Sequence, residues 1–207
     1  LVGSEMCIRD RQRLNEAGVN TSWIEKYSAE PTGLTVSVST REDRAFFSYY
    51  GANEELKPML RRPDWIQFMS SAKIVHIATS PDHKLDRALI PALHRAKTLV
   101  SLDVQNHLSW LTSPSNLRLM RAADILMPNE VEAEWVSGET GVHRVLRGLR
   151  KKGLKRVVLK LGGKGAAMTW DQKEFFVDPY SVLTEDTTGA GDCFNAGFLF
   201  GLLQSED

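Results

Sequence analysis

After Gly51-Ala52-Asn53 the chain alternates short apolar runs with amphipathic stretches, and this alternation limits the fold more than any other feature. Residues 73–78, 98–103, 124–127 and 156–161 read as strands rich in Val, Ile and Leu, and residues 83–97, 115–123, 130–137 and 142–152 read as helices. Strands joined by helical crossovers lie parallel, and the helices cover both faces of the sheet, so such strands are apolar throughout rather than alternating. The pattern therefore predicts an α/β fold with a mostly parallel sheet. Residues 165–170 and 173–177, around Asp171-Gln172, read as a closing hairpin. A second hairpin is expected earlier, where Thr-Val-Ser-Val-Ser-Thr from Thr35 meets the charged Arg41-Glu42-Asp43-Arg44 break and then 45–50. Its turn lacks an Asn-Gly pair, so the turn itself does not fix the register. The expectation is one α/β domain with a small β appendage and no linker long enough to separate two domains.

Composition fits that plan. Hydrophobic residues make up 42% of the 207, enough for a full core and too many for a disordered chain. The 26 Lys and Arg balance 26 Asp and Glu and are dispersed, which argues against a nucleic-acid or anionic-membrane surface. The one basic stretch, 147–156, ends a predicted helix, where a solvated helix terminus explains it better than an anion-binding patch. Cys7 and Cys193 are the only cysteines, and no apolar run is long enough to span a bilayer; a reduced, cytoplasmic setting fits best. His76, His83, His94, His107 and His143 lack metal-ligand spacing and read as structural or surface residues.

Ligands of open α/β sheets gather at the C-terminal ends of the strands. The segment Asp186-Thr187-Thr188-Gly189-Ala190-Gly191-Asp192 runs into the apolar Cys193-Phe194-Asn195-Ala196-Gly197-Phe198, which places a glycine-rich turn at the start of a helix. First-turn N–H groups and the helix dipole form an anion site, and Gly189 and Gly191 let a phosphate come close. Asp192 then sits beside bound negative charge, which would repel it. The task that suits a carboxylate there is accepting a proton from an attacking hydroxyl. A plain glycine turn with an aspartate at the helix start is the competing reading.

Other strand ends carry chemistry with equally plain alternatives. In Met127-Pro128-Asn129-Glu130-Val131-Glu132, Asn129 stands as N-cap with Glu132 three residues on, which capping alone explains. The glycines of Lys160-Leu161-Gly162-Gly163-Lys164-Gly165 suit close approach of a ligand or a tight turn. Asp103 ends the run 99–103 at the same edge, where loop capping also accounts for it. Asn53 caps a helix from Glu54 equally well. Phe46, Tyr49, Trp65 and Trp110 read as core or lid packing, and Cys193 as a small residue on a packed helix. No Gly-x-x-x-x-Gly-Lys-Ser/Thr segment is present, which excludes a P-loop kinase, and the third glycine of a dinucleotide fingerprint is missing.

The heptapeptide 186–192 resembles the C-terminal signature of the ribokinase-like, or PfkB, carbohydrate kinases, and Asn129-x-x-Glu132 resembles the Asn-x-x-Glu motif of the same family. The two occur in the expected order, within a match over about residues 18–205. The resemblance implies a three-layer α/β sandwich with a small β lid, the hairpin at about 35–50. It implies transfer of the ATP γ-phosphate, with Mg2+, to a hydroxyl of a sugar of ribokinase, fructokinase or ketodeoxygluconate-kinase type. A nucleoside kinase is the nearest alternative; a non-catalytic ligand-binding relative or an inactive fragment are others. By motif position Asp192 is the base and Gly189, Ala190 and Gly191 are the anion hole. Asn129 organises phosphate and Glu132 magnesium, while Lys160, Gly162 and Gly165 lie against ATP, with Lys160 near a phosphate. Asp186 and Thr188 match positions that hold a monovalent cation, so K+ is expected. Asn53 and Asp103 are the substrate-side candidates, and a homodimer through the lid is implied for the intact protein.

The two ends depart from the family pattern. Residues 1–11 have neither a signal-peptide layout nor a helical period and resemble translated sequencing-adapter DNA, so they are expected to be foreign, with residues 12–207 forming a partial kinase domain. The family's first strand with its acidic sugar-binding residue, its glycine-rich sugar motif and the adenine-side segment after the signature helix have no counterpart. Such a chain is expected to expose a sheet edge and apolar surface.

Overall fold

The computed structural model describes residues 4–39, 44–104, 107–184 and 186–205. The chain divides into two compact units, residues 1–59 and 60–207.

The first unit begins with α1 (Ser4–Glu16), a helix over residues in which the sequence shows no helical period. Arg11 donates to the Thr21 carbonyl at 2.6 Å, and the nearly buried Thr21 hydroxyl donates to the Asn15 side chain at 2.7 Å, so the helix is tied to the loop that follows. Strands β1 (Leu34–Ser39) and β2 (Arg44–Tyr49) then pair antiparallel, with Leu34 opposite Tyr49 and Val36 opposite Phe47. Of the charged turn expected at 41–44, residues 41–43 lie outside the described residues and Arg44 begins β2. Period-two alternation puts Leu34, Val36, Val38, Phe47 and Tyr49 on one face, from 46% exposed at Leu34 to 67% at Phe47. On the other face the Thr35 and Ser48 hydroxyls are hydrogen-bonded at 2.9 Å. A 3-10 turn, Gly51–Glu55, leads into the short α2 (Leu56–Met59).

The second unit opens with α3 (Pro63–Met69) and then builds its sheet: β3 (Ile74–Ile77), α4 (Leu89–Arg95), β4 (Leu99–Leu102), α5 (Leu108–Leu111), α6 (Pro114–Ala122) and β5 (Ile125–Leu126). It continues with α7 (Glu130–Ser137), α8 (Val142–Lys151), β6 (Val157–Lys160), β7 (Ala166–Trp170), β8 (Lys173–Val177) and α9 (Ala190–Gln204). The strands lie side by side in chain order, β3 to β6 parallel and the last two pairings antiparallel. Every strand expected after residue 54 is present, the one over 173–177 with its expected bounds and the others a residue shorter at one or both ends.

The helix expected over 83–97 is not continuous. A 3-10 turn, His83–Asp86, is followed by a break at Ala88, and α4 restarts at Leu89. Pro91 is the physical reason. Inside an unbroken helix it would lack the N–H for the residue-87 carbonyl and press its ring against that oxygen, whereas in the first turn of a new helix no such bond is needed. The short helices α3 and α5 also escape the sequence pattern, because each is too brief to show a period.

Alternation along the strands divides the core into two layers. Ile125, Met127 and Val158 are fully buried on one face, where Phe194, Phe198, Leu199 and Leu202 of α9 pack with Met168 and Trp170. Leu126, Val157, Leu159 and Ala167 have the opposite parity and are equally buried, on the side where α7 meets β6 and α8 meets β7. Each such Val, Leu, Ile or Met side chain stabilises the fold by roughly 1.5–3 kcal/mol. The arrangement is the α/β fold with a mostly parallel sheet that the sequence pattern predicts, in the three layers that the family resemblance implies. Along α8, Val145, Leu146 and Leu149 are buried while Arg147, Arg150 and Lys151 are exposed, so the basic stretch is a solvated helix face. Beyond its end, Arg156 stacks over Trp170 at 4.6 Å and pairs with Asp171. The helix α9 leaves Phe200 65% exposed, and β3 ends the sheet.

Candidate active site

Toward the C-terminal ends of the parallel strands, the sheet face under α9 changes from apolar to polar. Ser101 stands opposite both His76 and Ile125 in the register, so the three share that face. Asp103 is two residues beyond Ser101, and Lys160 two beyond Val158, which brings both to the same face at the strand ends. His76 Nδ1 lies 2.6 Å from the hydroxyl of the fully buried Ser101. Burial holds the pKa of His76 below its ordinary value, helped by the Lys160 ammonium and opposed by Asp103 and Asp192.

Lys160, Asp103 and Asn195 form a closed polar group. Lys160 Nζ donates to Asp103 Oδ2 at 2.6 Å and to Asn195 Oδ1 at 3.5 Å, while Asn195 Nδ2 donates to the same Asp103 oxygen. Asn195 is 1% exposed. Buried polar groups of this kind are costly unless satisfied, and here both ends of the carboxamide have partners.

The loop from β5 to α7 lies beside them, because the Lys160 N–H donates to the Pro128 carbonyl and Asn129 bridges to Lys160. Asn129 caps α7 and Glu132 completes the capping box. Glu132 is 3% exposed. Burial pushes its pKa up to about 7, with Asp103 adding to the rise, while the hydrogen bond from the Asn129 N–H and the charge of Lys160 oppose it. A buried carboxyl held near neutrality next to a second carboxylate is a place that positive charge would stabilise.

At the start of α9, Gly189 is the N-cap in the left-handed region, with φ of 75° and open space where a Cβ would project. A Cβ on Gly191 would meet only the Lys160 ammonium, at 3.8 Å. The Ala190 N–H donates to the Thr187 carbonyl at 3.1 Å, which leaves Gly191 and Asp192 as the residues whose amides lie in the first turn without a carbonyl four residues back in the helix. Asp192 is exposed in that turn. Asp186 Oδ1 accepts from both the N–H and the hydroxyl of Thr188, each at 2.8 Å, and so shapes the approach to the helix.

The glycines after β6 divide by environment. Gly162, with φ of 58°, and Gly163 have open space above them, whereas a Cβ on Gly165 would lie 2.1 Å from the Val177 carbonyl oxygen. Packing of the hairpin return therefore explains Gly165 without any ligand.

The structure thus brings together Asn129, Glu132, Lys160 and Asp103 from the expected set, with Asp192 close enough to act on His76. Asn53 belongs to the first unit, where its N–H donates to the Tyr50 carbonyl and its carboxamide fills the space over Gly33. Sequence reasoning missed Asn195 and His76. The signal for Asn195 was present, as the one carboxamide near the start of an apolar helix; His76 reads in sequence as an ordinary strand residue. Among the described residues no group of three or more His, Cys, Asp and Glu side chains could hold a metal ion, and no helix is long and apolar enough to cross a membrane.

Residues 9–207 match the family model of the pfkB family carbohydrate kinases. The chain is 28% identical over 197 residues to the ribokinase of Haemophilus influenzae, aligning 92% of this chain with 62% of that protein. It is 26% identical over 199 residues to a nucleoside kinase of Methanothermobacter thermautotrophicus, aligning 95% of this chain with 62% of that one. The structure of Arabidopsis thaliana ribokinase complexed with ribose and ATP superposes with a TM-score of 0.77 at 26% identity, covering 90% of this chain and 61% of that one. The chain accordingly spans less than two thirds of the length of these relatives.

Proposed function

The chain belongs to the pfkB family of carbohydrate kinases, and from that premise we propose that it is the part of an ATP-dependent kinase that carries the phosphoryl-transfer site, acting on a sugar hydroxyl with Asp192 as general base. The observation that carries this reading is the start of α9: open space over Gly189, the Lys160 ammonium 3.8 Å from a Cβ position on Gly191, and Asp192 exposed in the same turn. An anion bound there meets first-turn amides and the positive end of the helix dipole.

The chain's own residues supply positioning and charge. Gly191 and Asp192 amides hold the phosphoryl oxygens, and Asp192 takes the proton from the acceptor hydroxyl. Open space over Gly162 leaves room for ATP against the β6 end. Glu132, buried and raised toward neutrality, suits an Mg2+ carried on the phosphates, since that ion keeps waters and needs only one or two carboxylates from the protein. Bound Mg-ATP supplies the phosphoryl group and neutralises its charge. Asp186 and Thr188 are the proposed monovalent-cation positions, with K+ as the cation. Of the two substrate-side candidates, Asn53 lies in the turn that follows the lid hairpin, and Asp103 is taken up by Lys160 and Asn195. The apolar face of the β1–β2 hairpin supports a homodimer through the lid, since a two-stranded hairpin is rarely stable with one apolar face uncovered. We place the protein in the cytoplasm, where ATP is available and the exposed Cys193 stays a thiol.

The test is ATP-dependent phosphorylation across a panel of pentoses, hexoses, keto-sugar acids and nucleosides, with product identified by mass. Phosphorylation of one or more sugars at rates above those of nucleosides is the expected result. Preference for a nucleoside would overturn the sugar assignment, and no transfer to any acceptor would overturn the kinase reading.

A further inference from the structure

We propose that Asn195, gripped by Asp103 and Lys160, is a positioning residue that fixes the rotation of α9 and so the direction in which Asp192 points. The proposal rests on the reading of Asp192 as base and adds a residue to it.

The helix α9 reads Ala-Gly-Asp-Cys-Phe-Asn-Ala-Gly-Phe-Leu-Phe-Gly-Leu-Leu-Gln, apolar nearly all round. Hydrophobic packing against the sheet holds such a helix down but sets its rotation weakly, because turning it replaces one apolar side chain by another. Phe194, Phe198 and Leu202 face the sheet core, yet Phe200, largely exposed on the same helix, is as apolar as they are. A directional contact has to break that near-degeneracy. Asn195 is the one buried polar residue of the helix, and its two amide ends are matched to an acceptor and a donor on the strand ends. Rotating α9 away would strand a buried carboxamide and split a pair of charges that are only 14% and 15% exposed. A single buried Asn sets register in this way between otherwise interchangeable apolar helices.

Asn195 follows Asp192 by three residues, so the two side chains lie on the same side of the helix, one turn apart. Fixing one therefore aims the other. Lys160 links the same group to the anion turn, because its ammonium is also the nearest atom to a Cβ built on Gly191. Asp103 follows β4, Lys160 ends β6 and Asn195 is on α9, so three separate elements converge on the clamp.

The test replaces Asn195 by Leu, which keeps the branched side-chain shape and removes both hydrogen bonds. Amide hydrogen exchange over residues 186–193 is read together with kcat and KM for ATP and acceptor. Exchange at least tenfold faster in the first turn of α9, with kcat reduced at least tenfold and both KM values within threefold of wild type, is the expected result. Exchange within twofold of wild type and unchanged kcat, measured well below the Tm, overturns the proposal, as does a fall in Tm alone. If Asn195→Leu does not fold, Asn195→Ala, which also removes both hydrogen bonds and adds no bulk, is read in the same way. Should the unaltered protein transfer no phosphoryl group, the exchange result still decides the clamp, and it is the base assignment that fails.

Discussion

The side chain of Asn129 accepts a hydrogen bond from the Glu132 N–H at 2.9 Å, and the Glu132 carboxylate accepts one from the Asn129 N–H at 2.8 Å. The capping reading and the functional reading of this pair are therefore compatible. The cap pins a carboxylate inside the protein, 3% exposed, close enough to Asp103 and Lys160 for their charges to act on it. Helix capping here holds in place a side chain that would be too costly to bury alone.

The raised pKa of Glu132, about 7 against 4.5 for an unperturbed carboxyl, has a definite sign in stability. The folded state holds a proton on Glu132 that the unfolded state releases at lower pH. Its stabilising contribution is complete below pH 4.5 and is lost as pH rises to about 7. Glu132→Gln keeps an acceptor for the cap and removes the titration. Denaturant melts at pH 5 and pH 8 should show the variant gaining on wild type with rising pH, by up to roughly 3 kcal/mol. A constant difference between the two proteins would show that Glu132 does not titrate there.

Asn129→Asp separates capping from function. Aspartate caps as well as asparagine, so stability should stay within about 0.5 kcal/mol of wild type. A second negative charge beside the proposed phosphate should raise KM for ATP at least tenfold. Stability and KM both unchanged would leave Asn129 with a capping role alone.

Much of this was legible because parallel sheets write a coarse pattern. The strand runs survive as β3 to β6 since each must be apolar on both faces, and the 130–137 helix is bounded as expected because its cap and its terminal Gly138 are both explicit. The 83–97 helix failed on one residue, Pro91, whose effect depends on whether it falls inside a helix or in its first turn. The site was legible as motifs but not as a network. Asp103, Lys160 and Asn195 are up to 92 residues apart, and only the register that puts Ser101, Ile125 and Val158 under α9 shows that they meet. Gly165 misled for the opposite reason, since a glycine needed by a neighbouring carbonyl looks in sequence like one kept open for a ligand.

Gly162 and Gly165 should accordingly respond differently to alanine. Both have positive φ, which costs a residue with a Cβ about 1–2 kcal/mol. Gly165→Ala adds a clash with the Val177 carbonyl and should lose several kcal/mol or fail to fold. Gly162→Ala, with open space above it, should fold and raise KM for ATP. Thermal melts and ATP titration of the two variants give the comparison; equal destabilisation would contradict the packing difference.

A monovalent cation near Asp186 and Thr188 predicts that activity rises severalfold when tetramethylammonium is replaced by K+ at constant ionic strength. The Asp186–Thr188 turn, held by two hydrogen bonds of 2.8 Å, leads straight into Gly189, so ordering it would order the anion site. Equal rates in both salts would remove the cation from the reading.

Asp192→Asn is the sharpest probe of the base. Asparagine keeps the size and the helix position but cannot take up the acceptor proton. Turnover should fall at least a hundredfold, in line with the usual contribution of a general base. ATP binding should change little, or tighten slightly, because the substitution removes a negative charge from the first turn of α9, beside the proposed phosphate site. Initial rates at saturating substrates and a separate measurement of ATP affinity distinguish the two effects. A variant that turns over at the wild-type rate would show that the acceptor proton leaves by another route, and His76, its pKa lowered by burial and its ring held by Ser101 on the same polar face, would be the next group to replace.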